Sequence, residues 1–313
     1  MDSKQGMGSI LSNETSIRVS YGTAMKLGLK EGDTDEEPTT AYVMIPGKKC
    51  RGGCTFCPQA RGDPKWLSRV SWPLFELEEV KDKLEVSDLS RICIQSPDIP
   101  EYESRLKSAA SKLNDTEKPI SLSTPPLDEK TLKELEGTVD RIGVGIDAAT
   151  DSLRKKKKSN YEPIVFWNYL GKAVDIYGED KVTAHMIVGL GESLDELAAA
   201  VKRALYAGAR VSLFSYRSEE KKTDIRYYRR AQLITALLDL DKGVEEALDM
   251  TLKEPEKALD EIDVEKVFQT RGCPGCNRPY YTTSPGKEHR NFPRKPTRKE
   301  IEEIRKKLIL GGD

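Results

Sequence analysis

The feature that most constrains this chain is an alternation repeated six times: a short run of period-two polarity, then a longer amphipathic stretch. Strands are predicted at 40–45, 91–96, 120–124, 141–147, 181–189 and 210–216, and helices between them at 76–86, 102–113, 128–135, 164–177 and 193–207. Asp128 before Glu129, and Ser193 three residues before Glu196, supply helix caps. Strands separated by helices are the mark of a parallel α/β sheet. In 91–95, Ile92 and Ile94 alternate with Arg91, Cys93 and Gln95; in 141–147, Ile142, Val144 and Ile146 alternate with Arg141, Gly143, Gly145 and Asp147. If the apolar face meets the helices, Cys93, Gln95, Ser121, Ser123, Asp147, Thr183 and His185 point inward. A closed eight-stranded barrel fills its centre with branched apolar residues, so a polar interior predicts an open partial (β/α)6 TIM-type barrel that holds a ligand. A half-exposed sheet with ordinary alternation is the plainer alternative.

Composition supports a folded, neutral protein. The 313 residues are 37% hydrophobic and 33% charged, with 51 basic against 52 acidic side chains and a net charge of -1. This excludes a polyelectrolyte tail and wholesale disorder, and gives no reason to expect a nucleic-acid partner. No apolar run approaches the roughly 18 residues of a membrane span, and residues 1–13 lack a basic-then-apolar signal pattern. A cytoplasmic protein with no membrane partner is expected. Past residue 216 the character changes: 217–230 is dense in charge, 231–240 reads as a packed helix, and 242–265 as polar, helix-prone and solvent-facing. The expected division is an N-terminal segment 1–36, a barrel 37–240, and a helical, cysteine-bearing extension 241–313. The four lysines at 155–158 read as a solvated helix end or as a contact for an acidic carrier protein.

Six cysteines stand at 50, 54, 57, 93, 273 and 276, unlike the spacing of a disulfide-stapled secreted scaffold. Cys50, Cys54 and Cys57 form a C-x3-C-x2-C loop with Phe56 before the last cysteine, directly after the first predicted strand. Three thiolates on one glycine-bearing loop hold three corners of a cubic iron-sulfur cluster and leave the fourth iron open to a substrate. Structural zinc, which takes four protein ligands, is the alternative.

This loop resembles the signature of the radical S-adenosylmethionine enzymes, which Cys50, Cys54, Phe56 and Cys57 match position for position. The resemblance implies a [4Fe-4S] cluster whose open iron binds S-adenosylmethionine, a low-potential electron donor, and catalysis through a 5′-deoxyadenosyl radical. It further implies that 183–192, with His185 and Gly189, is the fifth-strand motif against which the adenine lies. Gln95 and Ser96 end the second strand, where the family binds the methionine amino group, although the usual Gly-Gly-Glu is absent. Asp147 is placed to accept from ribose or substrate, and Arg154 to grip the methionine carboxylate.

The segment 271–281, Arg-Gly-Cys-Pro-Gly-Cys-Asn-Arg-Pro-Tyr-Tyr, carries a second cysteine pair. Alone it reads as half a zinc site or a redox disulfide. If it closes the barrel, Cys273 and Cys276 join Cys93 around an auxiliary iron-sulfur cluster, with Arg278, Asn277, a serine, a small molecule or a partner as fourth ligand. Two clusters suggest carbon-sulfur bond formation, as in biotin synthase and lipoyl synthase. Residues 38–42, 57–61, 67–73 and 91–95 and the Cys-Asn-Arg-Pro-Tyr-Tyr tail resemble the archaeal-type lipoyl synthase system, in which two biotin-synthase-like proteins share the sulfur insertions. That resemblance implies an octanoylated lipoyl carrier domain as substrate and a second radical lipoyl synthase protein as partner. A biotin synthase acting on dethiobiotin, and a non-catalytic iron-sulfur or zinc module, are the competing readings.

Overall fold

A computed structural model describes residues 15–158, 160–218, 222–283 and 286–309; residues 1–14 of the expected N-terminal segment lie outside them. A strand β1 (Ser16–Val19) and a short helix α1 (Tyr21–Lys26) precede β2 (Ala41–Met44), the first of the six predicted strands. The two-residue strands β3 (Trp66–Leu67) and β4 (Val70–Ser71) pair as a hairpin, and β5 (Leu74–Glu76) leads into α2 (Leu77–Glu85). Alternation is then regular: β6 (Ile92–Gln95), α3 (Tyr102–Asn114), β7 (Ile120–Ser123), α4 (Glu129–Leu135), β8 (Arg141–Asp147), α5 (Asp151–Lys157), α6 (Pro163–Tyr177), β9 (Val182–Val188), α7 (Leu194–Tyr206), β10 (Arg210–Ser215) and α8 (Ile225–Asp239). The chain ends with α9 (Val244–Lys253), α10 (Pro255–Asp260), α11 (Val264–Val267) and α12 (Arg298–Ile309).

The sheet runs in the order β10-β9-β8-β7-β6-β2-β1-β5 and stays open. Its six strands from β2 to β10 are parallel to their neighbours, while β1 lies antiparallel to β2 and β5. This is the expected open (β/α)6 half-barrel with two antiparallel strands added at one edge. Register aligns Tyr42 with Cys93, Cys93 with Ser121, Gly145 with His185, and His185 with Ser212.

The outward face of each strand explains the helices. Ile92, Ile94, Leu122, Val144, Met186 and Val211 are buried in one core with Leu106, Leu132, Leu170 and Val201 from the helices. Each such side chain contributes about 1.5–3 kcal/mol on burial. The start of α7 is fixed as the sequence predicts: Ser193 Oγ accepts from Glu196 N (3.1 Å), and Glu196 Oε2 accepts from Ser193 N (2.9 Å).

The charged stretch conceals the start of a helix. α8 begins at Ile225, six residues before the predicted 231, because Tyr228 and Arg229 face inward. Arg229 is fully buried, and donates to the Arg290 carbonyl (2.7 Å) and to Gln232 Oε1 (2.8 Å) between the rings of Phe268 and Phe292. The stretch 242–265 likewise departs from a solvent-facing one: Ala247, Leu248, Met250, Ala258 and Leu259 are buried in the main core. Among the described residues no helix is long and apolar enough to cross a membrane.

Candidate active site

Period two on the inner faces of the six parallel strands lines a cavity of about 340 Å³ with Tyr42 and Met44, Cys93 and Gln95, Ser121 and Ser123, Gly143 and Gly145, Thr183 and His185, and Phe214. All seven side chains predicted to point inward are on its wall, and so are all six cysteines.

The mouth, at the carboxyl ends of the strands, is the cysteine loop that follows β2. Asp98, just beyond β6, organises it. Its backbone N-H donates to Cys50 Sγ (3.3 Å), its carbonyl accepts from Arg51 N (2.7 Å), and its buried carboxylate accepts from Arg51 Nη2 (2.7 Å) and Tyr161 Oη (2.9 Å). Gln59 closes the loop from within, donating to the carbonyls of Pro64 (3.0 Å) and Trp66 (2.9 Å). At Gly52 a Cβ would stand 3.3 Å from Cys50 Sγ and 3.7 Å from Cys54 Sγ, so glycine is what lets both sulfurs turn to one side of the loop. The loop also pairs with the end of α5: Cys54 bridges Lys158, and Thr55 N donates to the Lys157 carbonyl (2.9 Å).

The floor, at the amino ends of the strands, is made by the returning C-terminal segment. Ser90 Oγ donates to the Thr39 carbonyl (2.9 Å), Thr39 Oγ1 donates to the Gly275 carbonyl, and Thr39 N donates to Asn277 Oδ1 (3.1 Å). This seats Cys273 and Cys276 beneath β2 and β6, beside Cys93. Ser121 Oγ donates to the Ile92 carbonyl (3.3 Å) at the foot of the wall beside Cys93, and Tyr42 Oη lies 3.4 Å from Cys276 Sγ. The guanidinium of Arg278 stacks over Phe214 (4.7 Å) and donates to Ser212 Oγ (2.9 Å), while its Nε is buried without a partner.

Burial governs the charges. It pushes the Cys54 thiol up to about 12, with Lys158 opposing, and the Cys93 thiol up to about 12, with Cys273 and Cys276 adding to it. The thiols of Cys57 and Cys273 are raised for the same reason. His185 is driven down to about 3 by burial and by Arg278, so it is a neutral imidazole at physiological pH. A Cβ on Gly143 would meet its Cε1 at 2.7 Å; that glycine is the space the ring occupies.

The remaining predicted residues separate. Phe56, Gln95, Ser96 and Asp147 line the cavity; Arg154 and Gly189 do not. Gln95 Nε2 donates to Tyr281 Oη (3.3 Å), and Ser96 Oγ to the Pro97 carbonyl (3.0 Å). Arg154 is buried behind the wall, stacked on Phe166 (3.7 Å) and donating to the carbonyls of Gly145 and Ile146. The cation that does face the cavity there is Lys158, 2.7 Å from Asp147 Oδ2. Gly189 makes its close approach to Thr223, where a Cβ would collide with Oγ1, rather than to the cavity.

Several wall residues were not singled out: Tyr42, Arg69, Asp98, Lys158, Phe214 and Tyr281. The same alternation identifies two of them, since Tyr42 shares a face with Met44 and opposes Ala41 and Val43, and Phe214 shares one with Ser212. Arg69, in the β3-β4 turn, donates to the carbonyls of Tyr281 (2.7 Å) and Ser215 (3.1 Å), tying the segment before β5 to the far edge of the sheet.

A parallel half-barrel with a three-thiol loop after its first parallel strand and a chamber beneath it is the setting of an S-adenosylmethionine-dependent iron-sulfur enzyme. The Radical SAM superfamily model matches residues 44–204, slightly more than half the chain, and the chain belongs to that superfamily. The family brings a [4Fe-4S] cluster, S-adenosylmethionine and an electron donor. No curated protein matches the sequence. Two solved structures are similar in fold. Methylornithine synthase (PylB) is 13% identical with a TM-score of 0.48, the match covering 68% of this chain and 66% of that one, just under two thirds of its length. TYW1 with a lysine-pyruvate adduct bound is 12% identical with a TM-score of 0.44, covering 72% of this chain and 81% of that one.

The donor set fits the family's cluster. Three soft thiols share one loop, with a glycine cradle between two of them. Among the described residues no three or more Cys, His, Asp or Glu side chains converge closely enough to hold a single ion, whereas a cubic cluster spreads its ligands over separate corners.

Proposed function

We propose that this protein is a radical sulfurtransferase of the lipoyl synthase type, inserting sulfur into the octanoyl chain of an octanoyl-lysyl lipoyl carrier domain. It would work alongside a second radical lipoyl synthase protein. On this reading the barrel proper is 37–240 and the floor belongs to the extension 241–313. The observation that carries it is the second trio: Cys93, Cys273 and Cys276 face the same chamber as Cys50, Cys54 and Cys57, from its opposite end. A carrier or scaffold gains nothing from two sets of thiols on one cavity, whereas a reaction that makes a radical at one site and traps it at another needs that arrangement.

A cluster at the mouth would supply the one electron needed for reductive cleavage of S-adenosylmethionine, and a cluster at the floor would supply the sulfur. The protein's own part is to hold and insulate. Cys50, Cys54 and Cys57 would hold the first cluster, and Cys93, Cys273 and Cys276 the second. Tyr42 hydrogen-bonds to the floor sulfur of Cys276, neutral His185 lines the chamber without adding a charge, and Arg69 and Tyr281 close its open side against water. Between the two ends the wall offers Gln95, Ser123, Thr183 and apolar Phe214 to an acyl chain and its carrier linkage.

The test is an anaerobic incubation of the iron-reconstituted protein with S-adenosylmethionine, a strong reductant and an octanoyl-lysyl peptide, read by mass spectrometry. A one-sulfur gain with 5′-deoxyadenosine supports the reading. Cys93→Ala, Cys273→Ala and Cys276→Ala should each lose the sulfur product while retaining 5′-deoxyadenosine formation. Full thiolation by these variants, or conversion of dethiobiotin but not of the peptide, would overturn it.

A further inference from the structure

Cys50 has two faces. Besides the inner cavity it lines an outer cleft with Lys48, Lys49, Arg51, Arg105 and Asn160, whose wall carries four basic side chains and no acidic one. The lysine run ends beside this cleft: Asn160 Nδ2 donates to the Arg51 carbonyl and Thr55 N to the Lys157 carbonyl. Two neighbouring cations are neutralised, Arg51 by Asp98 and Lys155 by Glu162. Lys48, Lys49 and Lys156 are exposed and make no ion pair within 4.0 Å among the described residues. The chain as a whole has a net charge of -1, so this concentration of positive charge is local.

We infer that the outer cleft around Cys50 is the docking face for a small acidic one-electron carrier protein, and that the electron enters through the Cys50 side of the mouth loop. The inference rests on the family's need for an electron and not on sulfur transfer. Cys50 is the mouth ligand that borders both the chamber and the outer cleft, so a carrier seated there approaches the cluster site across one loop without entering the chamber where substrate sits. The exchange is a single electron: the carrier loses one, the site gains one, and no group is transferred. Unpaired lysines on a rim are the arrangement that steers an acidic partner, raising on-rates by about 10–10³ in a salt-sensitive way.

The experiment uses full-length, cluster-loaded protein and a flavodoxin of strongly negative charge. Binding of the oxidised flavodoxin is measured from 20 to 300 mM salt, and reduction of the protein by reduced flavodoxin is followed by stopped flow. The triple variant K48E/K49E/K156E should bind at least about tenfold more weakly at low salt and lose the salt dependence of the wild type. Its reduction by dithionite should be unchanged, and K299E/K306E on α12 should bind as the wild type does. Wild-type affinity in the triple variant, salt-independent binding by the wild type, a parallel loss of dithionite reduction, equal weakening by K299E/K306E, or tighter binding of single-stranded RNA than of flavodoxin would each overturn the inference. A failure to thiolate the octanoyl peptide would leave it standing.

Discussion

The Asp147–Lys158 pair offers the sharpest test of how the mouth is held. Asp147 ends β8 with φ +60°, a left-handed conformation, and its side chain is 16% exposed against 13% for Lys158. The 2.7 Å bond between them is backed by the Phe166 ring, 4.3 Å from Lys158 Nζ. Lys158→Met removes the cation and leaves a buried carboxylate. Breaking a fully buried pair costs about 3–5 kcal/mol. Partial exposure and the nearby Arg154 reduce this, and about 2–3 kcal/mol is expected for the metal-free protein. In the wild type, burial works to raise the Asp147 pKa, but Lys158 and Arg154 outweigh it and hold the carboxyl below its ordinary range. That stabilisation is present above the unfolded value near pH 4 and is lost as pH falls through the folded one. In Lys158→Met the balance reverses: with burial dominant, the folded pKa rises above the unfolded one, and stability drops as pH climbs. The gap between the two proteins should therefore be widest at pH 7 and close toward pH 4, in urea titrations of reduced apoprotein. Adding Asp147→Asn, a residue that tolerates left-handed backbone, should recover all but about 1 kcal/mol. A gap that is the same at pH 7 and pH 4.5, or a double variant no more stable than the single one, would refute the reasoning.

Three further outcomes follow from the same contacts. Gly189→Ala combines a φ of +98° with a collision against Thr223, and should cost about 2–4 kcal/mol in denaturant titration; adding Thr223→Ala should return the collision part of that loss, since the glycine serves Thr223. Arg229→Met leaves the His289 carbonyl without its donor and the Arg290 carbonyl with Gln232 Nε2 alone (3.2 Å), and should cost about 3 kcal/mol and raise proteolysis within 286–297. Burial holds the His185 imidazole neutral, so its ¹³C-labelled ring should show no titration between pH 5 and 8, and a midpoint near 6.5 would refute its enclosure beside Arg278.

The six parallel strands were legible because both of their faces are covered, one by helices and one by the chamber wall, so every second residue carries a signal. Each predicted strand lies within about two residues of the observed one. β1, β3, β4 and β5 were not legible. β3, β4 and β5 run two or three residues, too short to show a period, and β1 gains its place by pairing with β2 and β5, which are far from it in sequence. The chamber's polar residues followed from alternation, and the mouth thiols from their spacing. The exchange of Arg154 for Lys158 at the wall did not follow: both cations lie against the Phe166 ring, and one turn at the end of α5 decides that Arg154 turns to the carbonyls of Gly145 and Ile146 while Lys158 faces the cavity.

The floor shows why a pattern of cysteines needed a fold to become a site. Cys93 is an ordinary inward position on β6, and Cys273 and Cys276 are an ordinary two-residue-spaced pair about 180 residues later. What unites them is hydrogen bonding by groups that carry no motif. The Arg278 backbone N-H donates to Tyr42 Oη (2.8 Å), and the same oxygen lies 3.4 Å from Cys276 Sγ; a strand residue thus fixes both the turn and a sulfur within it. Arg278 and Tyr280 hold φ values of +42° and +64°, conformations that cost about 1–2 kcal/mol each for side chains of this kind. That strain is sustained by what the turn delivers: the Arg278 guanidinium over Phe214, the Tyr280 hydroxyl against Thr34, and the Tyr281 ring between Tyr42 and Trp72. The tail therefore does more than cover an open barrel end. It is bent against its own preference to bring two thiols and a guanidinium under a chamber whose third thiol was set by β-strand periodicity.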